Sequence, residues 1–402
     1  MFFYALAAFG IAIQLSGLAA FVWFIFTTRP QVSSLKCFPG VTILKPCYQV
    51  EDGEELNYDA FFHQDYRGPI QLVFVASRET DPAVALVRRF IAKYPEVDAE
   101  LVFSSTRNAY WGKIDAFYDG HQRAKHDLFI ISDSDVRVGP SYVSEMVAAL
   151  HEPGVSVVSS PQFDFGANTI GSGLKLANNC DSAVIVVGWY YLSRVNRVSL
   201  GHSIGFRLSE FHGLGEDRWN FVNTFLAEDQ AYAHLFARSG KRTVLKNIYC
   251  PVHFADKTVG QTHRQKVRWL INQKLVAGNR YVYLAGLSLY PEIAGLLTFD
   301  WRVFAAACLS RVAVAVTAEA LYLKTIKGTL KYFWLIPLWD LAQVYYFVVG
   351  FFKETIKYGD KEYRVVKGMF LEEVKPPPPP ESVPESVPAP VRAPGPGPDP
   401  GC

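Results

Sequence analysis

The feature that most constrains this chain is its first segment, which carries no charge from Phe2 to Phe26 and has only Gln14 and Ser16 as polar interruptions. A helix needs roughly 20 apolar residues to cross the hydrocarbon core of a bilayer, so this segment is long enough. A cleaved signal peptide is the weaker interpretation, because no basic region precedes the run and no small-residue cleavage site follows it. Arg29 and Lys36 come next. The positive-inside rule therefore predicts an anchor with everything after Arg29 in the cytoplasm.

The composition excludes one class of function. Half of the 402 residues are hydrophobic, and the formal net charge is only +2. This length accommodates one large domain together with membrane elements. No basic run interleaved with aromatic residues is present, so nucleic-acid binding is excluded.

The six cysteines form no CxxC pair and no zinc-type spacing. We therefore expect buried core cysteines in a reducing compartment rather than a disulfide framework.

From Val41 the sequence changes to short β-rich runs that alternate with helical patterns, as a parallel α/β sheet requires. The continuous apolar run at Leu128–Ile131 predicts a strand that is buried on both faces. Asp81 and Pro82 predict a helix start with Asp81 as its cap, and a second helix is predicted at Trp111–Ala124. The other predicted strands are Val41–Leu44, Ile70–Ala76, Leu101–Ser104 and Val155–Ser159.

The C-terminal third is apolar again. Val303–Leu323 and Tyr332–Phe352 predict two membrane helices, and Tyr281–Phe299 is a third, weaker run. Two spans would return the tail to the cytoplasm. They would also leave the lysine-rich connector after Leu323 outside, against the charge rule, so re-entrant or interfacial helices are the alternative. The Pro-rich tail from Pro376 predicts an extended, disordered extension.

Two carboxylates, Asp133 and Asp135, follow the fourth predicted strand directly. Ligands of open α/β sheets bind at the carboxyl ends of strands, so both side chains are placed to share one crevice. Unpaired, they would repel and shift each other's pKa, and a divalent cation resolves that conflict. Oxygen ligands of this kind suit Mg²⁺ or Mn²⁺ bridging to a diphosphate. The alternative is an ordinary acidic turn.

A second acidic pair, Glu228 and Asp229, stands at the start of a helical pattern. Taken alone, it is equally typical of acids that the helix dipole favours at an N-terminus.

A third motif is Gln265 to Trp269, in which Arg268 precedes the tryptophan. An Arg–Trp pair offers a cation for phosphate oxygens and a flat ring for a sugar. The alternative, which is compatible with the first reading, is a basic amphipathic helix on a membrane surface.

These three motifs, in this order, resemble the DxD, ED and QxxRW pattern of family 2-type glycosyltransferases of the GT-A fold. More narrowly, the chain resembles the ceramide glucosyltransferase family (family 21) and its bacterial relatives, from about Phe2 to Lys367. The hopanoid-linked N-acetylglucosamine transferases share the layout and are the nearest alternative. The closer resemblance rests on Ile43–Pro46, Asp65–Tyr66, Asp81–Ala83, Tyr94–Ala99, Asp127–Ile130, Asp133–Val138, Leu226–Asp229 and Tyr363–Arg364.

The resemblance implies an α/β fold of the GT-A type, Rossmann-like with a mixed, mostly parallel sheet. It implies a cytosolic catalytic domain held by an N-terminal anchor and C-terminal membrane helices, and it leaves the oligomeric state open. On this basis the expected segments are an anchor at 1–28, the nucleotide-sugar domain at 38–280, membrane helices at 281–355, a cytosolic segment at 356–375 and a disordered tail at 376–402.

The resemblance also implies roles for individual residues. Asp229 would be the general base that deprotonates the acceptor. Asp133 and Asp135 would face the diphosphate and an Mg²⁺ or Mn²⁺ ion, with Asp135 the more direct ligand. The remaining donor-binding residues would be Pro46, Glu79, Lys113, Gln265, Arg268 and Trp269.

Two segments depart from the family pattern. Relatives have a QDxxDP cluster after the second strand, whereas Arg78 occupies its first Asp position here and Glu79 is the nearest replacement. Tyr110 to Lys113 also stands where relatives have Asn-Pro-Lys. These departures favour considering a different nucleotide, or a catalytically degenerate protein, as alternatives.

The expected function is inverting transfer of a sugar from a UDP-sugar to the hydroxyl of a membrane lipid, with ceramide as the leading acceptor. Another lipid such as a hopanoid is the first alternative. A processive polysaccharide synthase is the second, although that class needs more transmembrane helices. A catalytically degenerate binding protein is the third. The expected location is a bacterial inner membrane, or the ER or Golgi in a eukaryote.

Overall fold

The computed structural model describes residues 1–51, 53–105, 112–189, 191, 199–215, 218–224, 227–254, 256–277, 291–358, 361–366 and 370–374. The chain begins with helix α1 (Phe2–Thr27), which covers the predicted anchor. Most of the weak apolar run at Tyr281–Phe299 and the whole tail from Pro376 lie outside the described residues.

The centre of the domain is a seven-stranded sheet in the order β3-β2-β1-β4-β7-β5-β8. Strand β7 runs antiparallel to both of its neighbours, and the other pairs are parallel, so the predicted mixed, mostly parallel sheet is confirmed. The strands are β1 (Val41–Cys47), β2 (Ile70–Ala76), β3 (Asp98–Phe103), β4 (Leu128–Ser132), β5 (Val155–Ser159), β7 (Ser203–Arg207) and β8 (Arg242–Leu245).

Two smaller sheets accompany the central one. Strands β6 (Asp164–Phe165) and β9 (Val252–His253) pair in parallel beside the end of β4. An antiparallel sheet of β10 (Thr355–Tyr358), β11 (Lys361–Val366) and β12 (Phe370–Glu373) closes the described part of the chain. Neither sheet was predicted from the sequence.

Helices cover both faces of the central sheet. The predicted start of α3 is confirmed: the Asp81 side chain accepts a hydrogen bond from the Ala83 N–H at 2.9 Å, with Pro82 in the first turn. The helices up to the site are α2 (Glu55–Phe62), α3 (Pro82–Lys93), α4 (Gly112–His121), α5 (Tyr142–Leu150), α6 (Ile170–Asp181), α7 (Leu208–His212), α8 (Arg218–Thr224) and α9 (Glu228–Arg238). Those that follow are α10 (Val259–Ala277), α11 (Pro291–Leu296), α12 (Trp301–Ala318), α13 (Lys327–Tyr332) and α14 (Leu335–Phe352).

The strands divide their side chains between two hydrophobic cores because successive residues of a strand point to opposite faces. In β4, Leu128 and Ile130 join α2, α3 and α5 in one core, whereas Phe129 and Ile131 join α4 and α9 in the other. All of β4 is buried, as its apolar run predicts. The second core also includes Phe21 of α1, so the N-terminal helix is packed onto the domain.

Among the described residues, three helices are long and apolar enough to cross a membrane: α1, α12 with its wider π-helical extension to Leu323, and α14. One face of each packs inward. On α1, Gly17 allows a close approach to the π-helical segment Ser182–Trp189, since a Cβ there would lie 2.4 Å from Val184 Cγ1. The outward faces expose large apolar side chains such as Phe9, Leu309 and Leu341.

The lysine-rich connector between α12 and α14 packs against the α/β domain. Just before it, Tyr322 donates a hydrogen bond to the Ile248 carbonyl at 2.8 Å, and the Lys324 ammonium lies 5.5 Å from the centroid of the Tyr249 ring. The Asn247 amide also donates a hydrogen bond to the Ile25 carbonyl, near the end of α1, at 2.8 Å. The ends of α12 and α1 therefore contact neighbouring residues on the same side of the domain.

A buried ionic cluster joins all three apolar helices to the domain. Arg311 of α12 is fully buried and pairs with Asp340 of α14 through Nε–Oδ2 and Nη2–Oδ1 distances of 2.9 and 2.7 Å. Its Nη1 donates to Gln14 of α1 at 3.1 Å, and its Nη2 also donates to Asp181 of α6 at 3.1 Å. Gln343 of α14 donates to the other oxygen of Asp181 at 3.2 Å. Ionisable groups within apolar helices are costly unless they face inward and pair, as these do.

Arg311→Met should destabilise the protein strongly, because it leaves the carboxylates of Asp340 and Asp181 buried without their cation. Removing one partner of such a pair costs about 3–5 kcal/mol. Thermal unfolding of the detergent-purified protein, followed by tryptophan fluorescence, measures the effect. Arg302→Met, at an exposed position of the same helix, is the matched control and should unfold like the wild type. Equal midpoints for the two variants would contradict the structural role of the cluster.

Candidate functional site

The turn after β4 is held by main-chain contacts from three parts of the chain. The Asp133 N–H donates to the His202 carbonyl at 3.0 Å, and the His253 N–H donates to the Asp135 carbonyl at 2.7 Å. The buried Lys45 ammonium donates to the Asp133 carbonyl at 2.7 Å. Since β1 and β4 are parallel neighbours, this lysine reaches the turn from the adjacent strand end. The positions of the two carboxylates are thus set by the backbone.

A pocket of about 230 Å³ opens at this edge of the sheet. Seven of the residues assigned to the site from the sequence line this one pocket, although they come from widely separated segments. They are Lys113, Asp133, Asp135, Asp229, Gln265, Arg268 and Trp269.

The other two predicted donor-binding residues, Pro46 and Glu79, do not line this pocket. Pro46 lies in β1 opposite Val75 of β2. Glu79 lies in the loop between β2 and α3, where its exposed side chain forms an ion pair with Arg88 at 2.8 Å. The structure therefore gives no support for grouping Glu79 with the acidic residues of the pocket.

Lys113 connects two of the acidic motifs. Its ammonium lies 2.7 Å from Asp133 Oδ1 and 2.9 Å from Glu228 Oε1. Burial by itself would lower the pKa of Lys113, but the two carboxylates raise it above its ordinary value. Burial likewise opposes ionisation of Glu228, yet Lys113 lowers the pKa of this carboxyl. Both groups are therefore charged at neutral pH and held together.

Asp229 is different from its neighbour Glu228, since it makes no ion pair with any described residue. It lies in the first turn of α9, where its Oδ1 accepts a hydrogen bond from the Gln230 N–H at 2.8 Å. Burial, reinforced by the charge of Glu228, raises the pKa of Asp229 to about 7. A Cβ at Gly201 would lie 3.1 Å from Asp229 Cβ, so a side chain there would crowd the acid. A carboxyl with this pKa exchanges protons readily near neutral pH.

Asp135 has the properties of a metal ligand. Burial and the neighbouring Asp133 carboxylate raise the pKa of Asp135 to about 7, and its buried Oδ1 has no hydrogen-bond partner. A divalent cation would satisfy this oxygen and favour the ionised form. Within the described ranges, no group of three His, Cys, Asp or Glu side chains converges. Asp133 and Asp135 therefore fit a hard cation that takes further oxygen ligands from a diphosphate and water.

Helix α10 contributes three side chains to the pocket. Gln265, Arg268 and Trp269 lie three and four residues apart, so they share one face of the helix. Buried Val267 and Leu270 attach the helix to the core, which leaves that face towards the pocket.

Two further residues of the pocket were not predicted. The Lys175 ammonium of α6 forms a buried ion pair with Asp164 at 3.1 Å and lies 5.4 Å from the Trp269 ring centroid. His202 is also buried, and desolvation lowers its pKa to about 3, so it is neutral. A single lysine within the otherwise uncharged start of α6 was the only available signal for Lys175. Nothing in the sequence singled out His202.

The fold and the site define a glycosyltransferase of the GT-A class: a mixed, mostly parallel sheet with a pair of acids after β4, an acid at the start of α9 and an Arg–Trp helix face around one pocket. The family model of glycosyl transferase family 21 matches residues 2–371. The chain belongs to this family. The predicted fold class and enzyme class are thereby confirmed.

Among curated relatives, the chain is similar to ceramide glucosyltransferase 1 of Caenorhabditis elegans, with 26% identity over 318 residues, covering 71% of this chain and 64% of that protein. It is 28% identical over 159 residues to the ceramide glucosyltransferase of Komagataella phaffii, covering 35% of this chain and 31% of that protein. The matched region thus spans less than two thirds of these relatives.

Among solved structures, the chain is similar to the mannosyltransferase PcManGT from Pyrobaculum calidifontis in complex with GDP-Man and Mn²⁺, with 20% identity, a TM-score of 0.49, and coverage of 87% of this chain and 98% of that one. The glucosyl-3-phosphoglycerate synthase from Mycobacterium tuberculosis in complex with Mn²⁺ and UDP-glucose has 15% identity, a TM-score of 0.35, and coverage of 58% and 78%.

Asp135→Ala should abolish stabilisation of the protein by Mn²⁺ with UDP, because it removes the carboxylate whose buried oxygen lacks a partner. At a ligand concentration a hundredfold above Kd, binding stabilises a folded protein by about 2.7 kcal/mol. The measurement is the shift in unfolding temperature on adding Mn²⁺ and UDP. Asp98→Ala, an exposed carboxylate outside the pocket, is the control and should keep the wild-type shift. If Asp135→Ala kept the full shift in unfolding temperature, Asp135 would not be a ligand of the metal.

Proposed function

We propose that the protein transfers a sugar from a UDP-sugar to the hydroxyl of a membrane lipid, with ceramide as the leading acceptor and inversion at the anomeric carbon. The observation that carries the proposal is the single pocket in which Asp133, Asp135 and Asp229 meet the Arg–Trp face of α10. The names of the curated relatives support ceramide as the acceptor.

The donor side of the pocket suits a diphosphate leaving group. Asp133 and Asp135 would hold Mg²⁺ or Mn²⁺, which supplies positive charge against the charge that develops as the sugar–phosphate bond breaks. Arg268 lines the same pocket and adds a permanent cation that suits phosphate oxygens. Lys113 is already neutralised by Asp133 and Glu228, so its main role would be to orient these two acids.

Asp229 would be the base. Glu228 is paired with Lys113, whereas Asp229 keeps a carboxylate that can accept a proton. The acceptor oxygen would attack the anomeric carbon, its proton would pass to Asp229, and the carbon–oxygen bond to UDP would break. One base opposite the leaving group gives a single displacement and therefore inversion. The contribution of such a base is about 10²–10⁴-fold.

Turnover should fall as pH decreases through about 7, because protonation of Asp229 removes the base. At saturating donor and Mn²⁺, kcat should be roughly tenfold lower at pH 6 than at pH 8, since the raised pKa leaves only about a tenth of the base ionised at the lower pH. Initial rates of UDP release measure this profile. A flat profile over this range would show that another group takes the proton.

Asp229→Asn should lower kcat by at least about 10²-fold and leave binding of the UDP-sugar near normal. Calorimetric titration with UDP-sugar and Mn²⁺ separates the two effects. Asp98→Asn is the control, since this exposed acid pairs with Lys125 and does not line the pocket, and it should turn over normally. Near-normal turnover in Asp229→Asn would show that another residue acts as the base.

A lipid acceptor agrees with the distribution of apolar surface. The three apolar helices expose large side chains on one side and pack on the catalytic domain on the other. The connector with Lys324, Lys327 and Lys331 packs against the domain. A domain on the cytoplasmic side would therefore place these lysines where the positive-inside rule favours them. The acceptor hydroxyl would then reach the pocket from the bilayer surface.

The decisive experiment is to incubate membranes containing the protein with a panel of labelled UDP-sugars and to analyse the lipid extract by mass spectrometry. The proposal predicts one sugar on one lipid with a β linkage, absent from the Asp229→Asn control. A polymer would indicate a processive synthase. Absence of both donor binding and product with every divalent ion would indicate a degenerate protein.

A further inference from the structure

A second cavity, of about 570 Å³, lies between α10 and the C-terminal sheet. It borders the catalytic pocket, since Asp135, Gln265 and Arg268 line both. However, the base Asp229 lines only the first pocket. We call this second cavity the basic cleft, because Lys257, Arg264, Arg268 and Lys353 are among its lining residues.

The charges of the basic cleft do not cancel. Among its described lining residues, the two acids Asp135 and Glu362 stand against four basic side chains. Within the described part of the chain, the exposed Arg264 and Lys353 have no ion-pair partner. Lys257 pairs with Glu51, and that pair is neutral. An anion in the cleft would therefore meet an excess of positive charge on flexible side chains at its rim.

The floor of the cleft is apolar. Phe254, Val267 and Ile356 line it and are almost fully buried. A free phosphate gains no favourable contact from an apolar floor, whereas an amphipathic molecule can bury hydrocarbon against it. The combination of a cationic rim and an apolar floor favours a ligand with an anionic head and hydrocarbon behind it.

The cleft opens beside a lipid-facing helix. Lys353 directly follows α14, whose last turns expose Val348, Phe351 and Phe352. The helices α10 and α14 are tied together at this end, where the His263 imidazole and the Tyr346 hydroxyl form a hydrogen bond of 3.2 Å. Hydrocarbon chains along α14 would thus lead a headgroup to the rim.

We propose that the basic cleft binds the phosphate headgroup of an anionic phospholipid, whose acyl chains lie along the exposed face of α14. This lipid is distinct from the proposed acceptor, because ceramide has no anionic head and the base Asp229 does not line the cleft. The bound lipid holds α10, with its Arg–Trp face, at the bilayer surface. This role is additional to the proposed sugar transfer.

Native mass spectrometry of the full-length protein in mild detergent tests this directly, with phosphatidylglycerol and phosphatidylcholine added as competing probes. The wild type should retain one phosphatidylglycerol in preference to phosphatidylcholine. Because each basic residue near an anionic lipid contributes about a fivefold factor in affinity, the double variant R264Q/K353Q should bind phosphatidylglycerol roughly tenfold or more weakly. This readout requires no sugar transfer, so its failure is separate from failure of the proposed function.

The matched control is K327Q/K331Q, which removes two exposed lysines near the apolar helices but outside the cleft. It should retain wild-type binding. Glu362→Gln removes a lining acid while keeping an oxygen that can accept from the Thr355 hydroxyl, and it should bind phosphatidylglycerol more tightly than the wild type. The proposal is overturned if R264Q/K353Q binds normally, if the control weakens binding equally, or if soluble glycerol phosphate displaces the lipid at equal concentration.

Discussion

The arrangement of this protein depends on one buried cation. Arg311 lies in the middle of an apolar helix with no access to solvent, so its charge must be satisfied by protein groups or it would be expelled. Asp340, Asp181 and Gln14 meet this requirement, and each comes from a different element. Hydrophobic faces alone would allow the helices to slide or rotate, because apolar contacts are non-directional. The guanidinium is planar and donates its hydrogen bonds in fixed directions. It therefore specifies one relative placement of α1, α12, α14 and α6.

Helix α6 connects this ionic cluster to the pocket. Asp181, at its end, belongs to the ionic cluster, and Lys175, two turns earlier, lines the pocket beside Trp269. Between them, Asn179 exchanges hydrogen bonds with the backbone of Asp164 in the small β6–β9 sheet. The ionic cluster of the apolar helices and the acidic pocket are thus connected through α6. A transferase benefits from such a connection, because a displacement of about 1 Å between reacting groups can cost a hundredfold in rate.

Local patterns predicted much of the catalytic fold. The strands Ile70–Ala76 and Val155–Ser159 and the Asp81 cap were correct because burial and capping leave a signal in neighbouring residues. Strand β7 and the C-terminal sheet left little signal, since β7 is a short segment with a central glycine whose pairing comes from β4 and β5. The packing of the lysine-rich connector on the domain also left no signal in the sequence, because it follows from tertiary contacts such as that of Tyr322. Seven predicted site residues meet in one pocket, while Pro46 and Glu79 do not line it.

The sequence by itself determined the inventory: an apolar N-terminal helix, acids after a buried strand, an acidic helix start and an Arg–Trp pair, each readable from neighbours along the chain. Only the tertiary structure decided how these charges are paired. It brought Lys113 between Asp133 and Glu228, and so left Asp229, unlike its neighbour Glu228, without an ion pair among the described residues. It also matched Arg311 with acids from two other helices and opened the basic cleft against the C-terminal strands. Ion pairing depends on distance in space and on burial, and residues far apart in sequence acquire both only when the chain is folded.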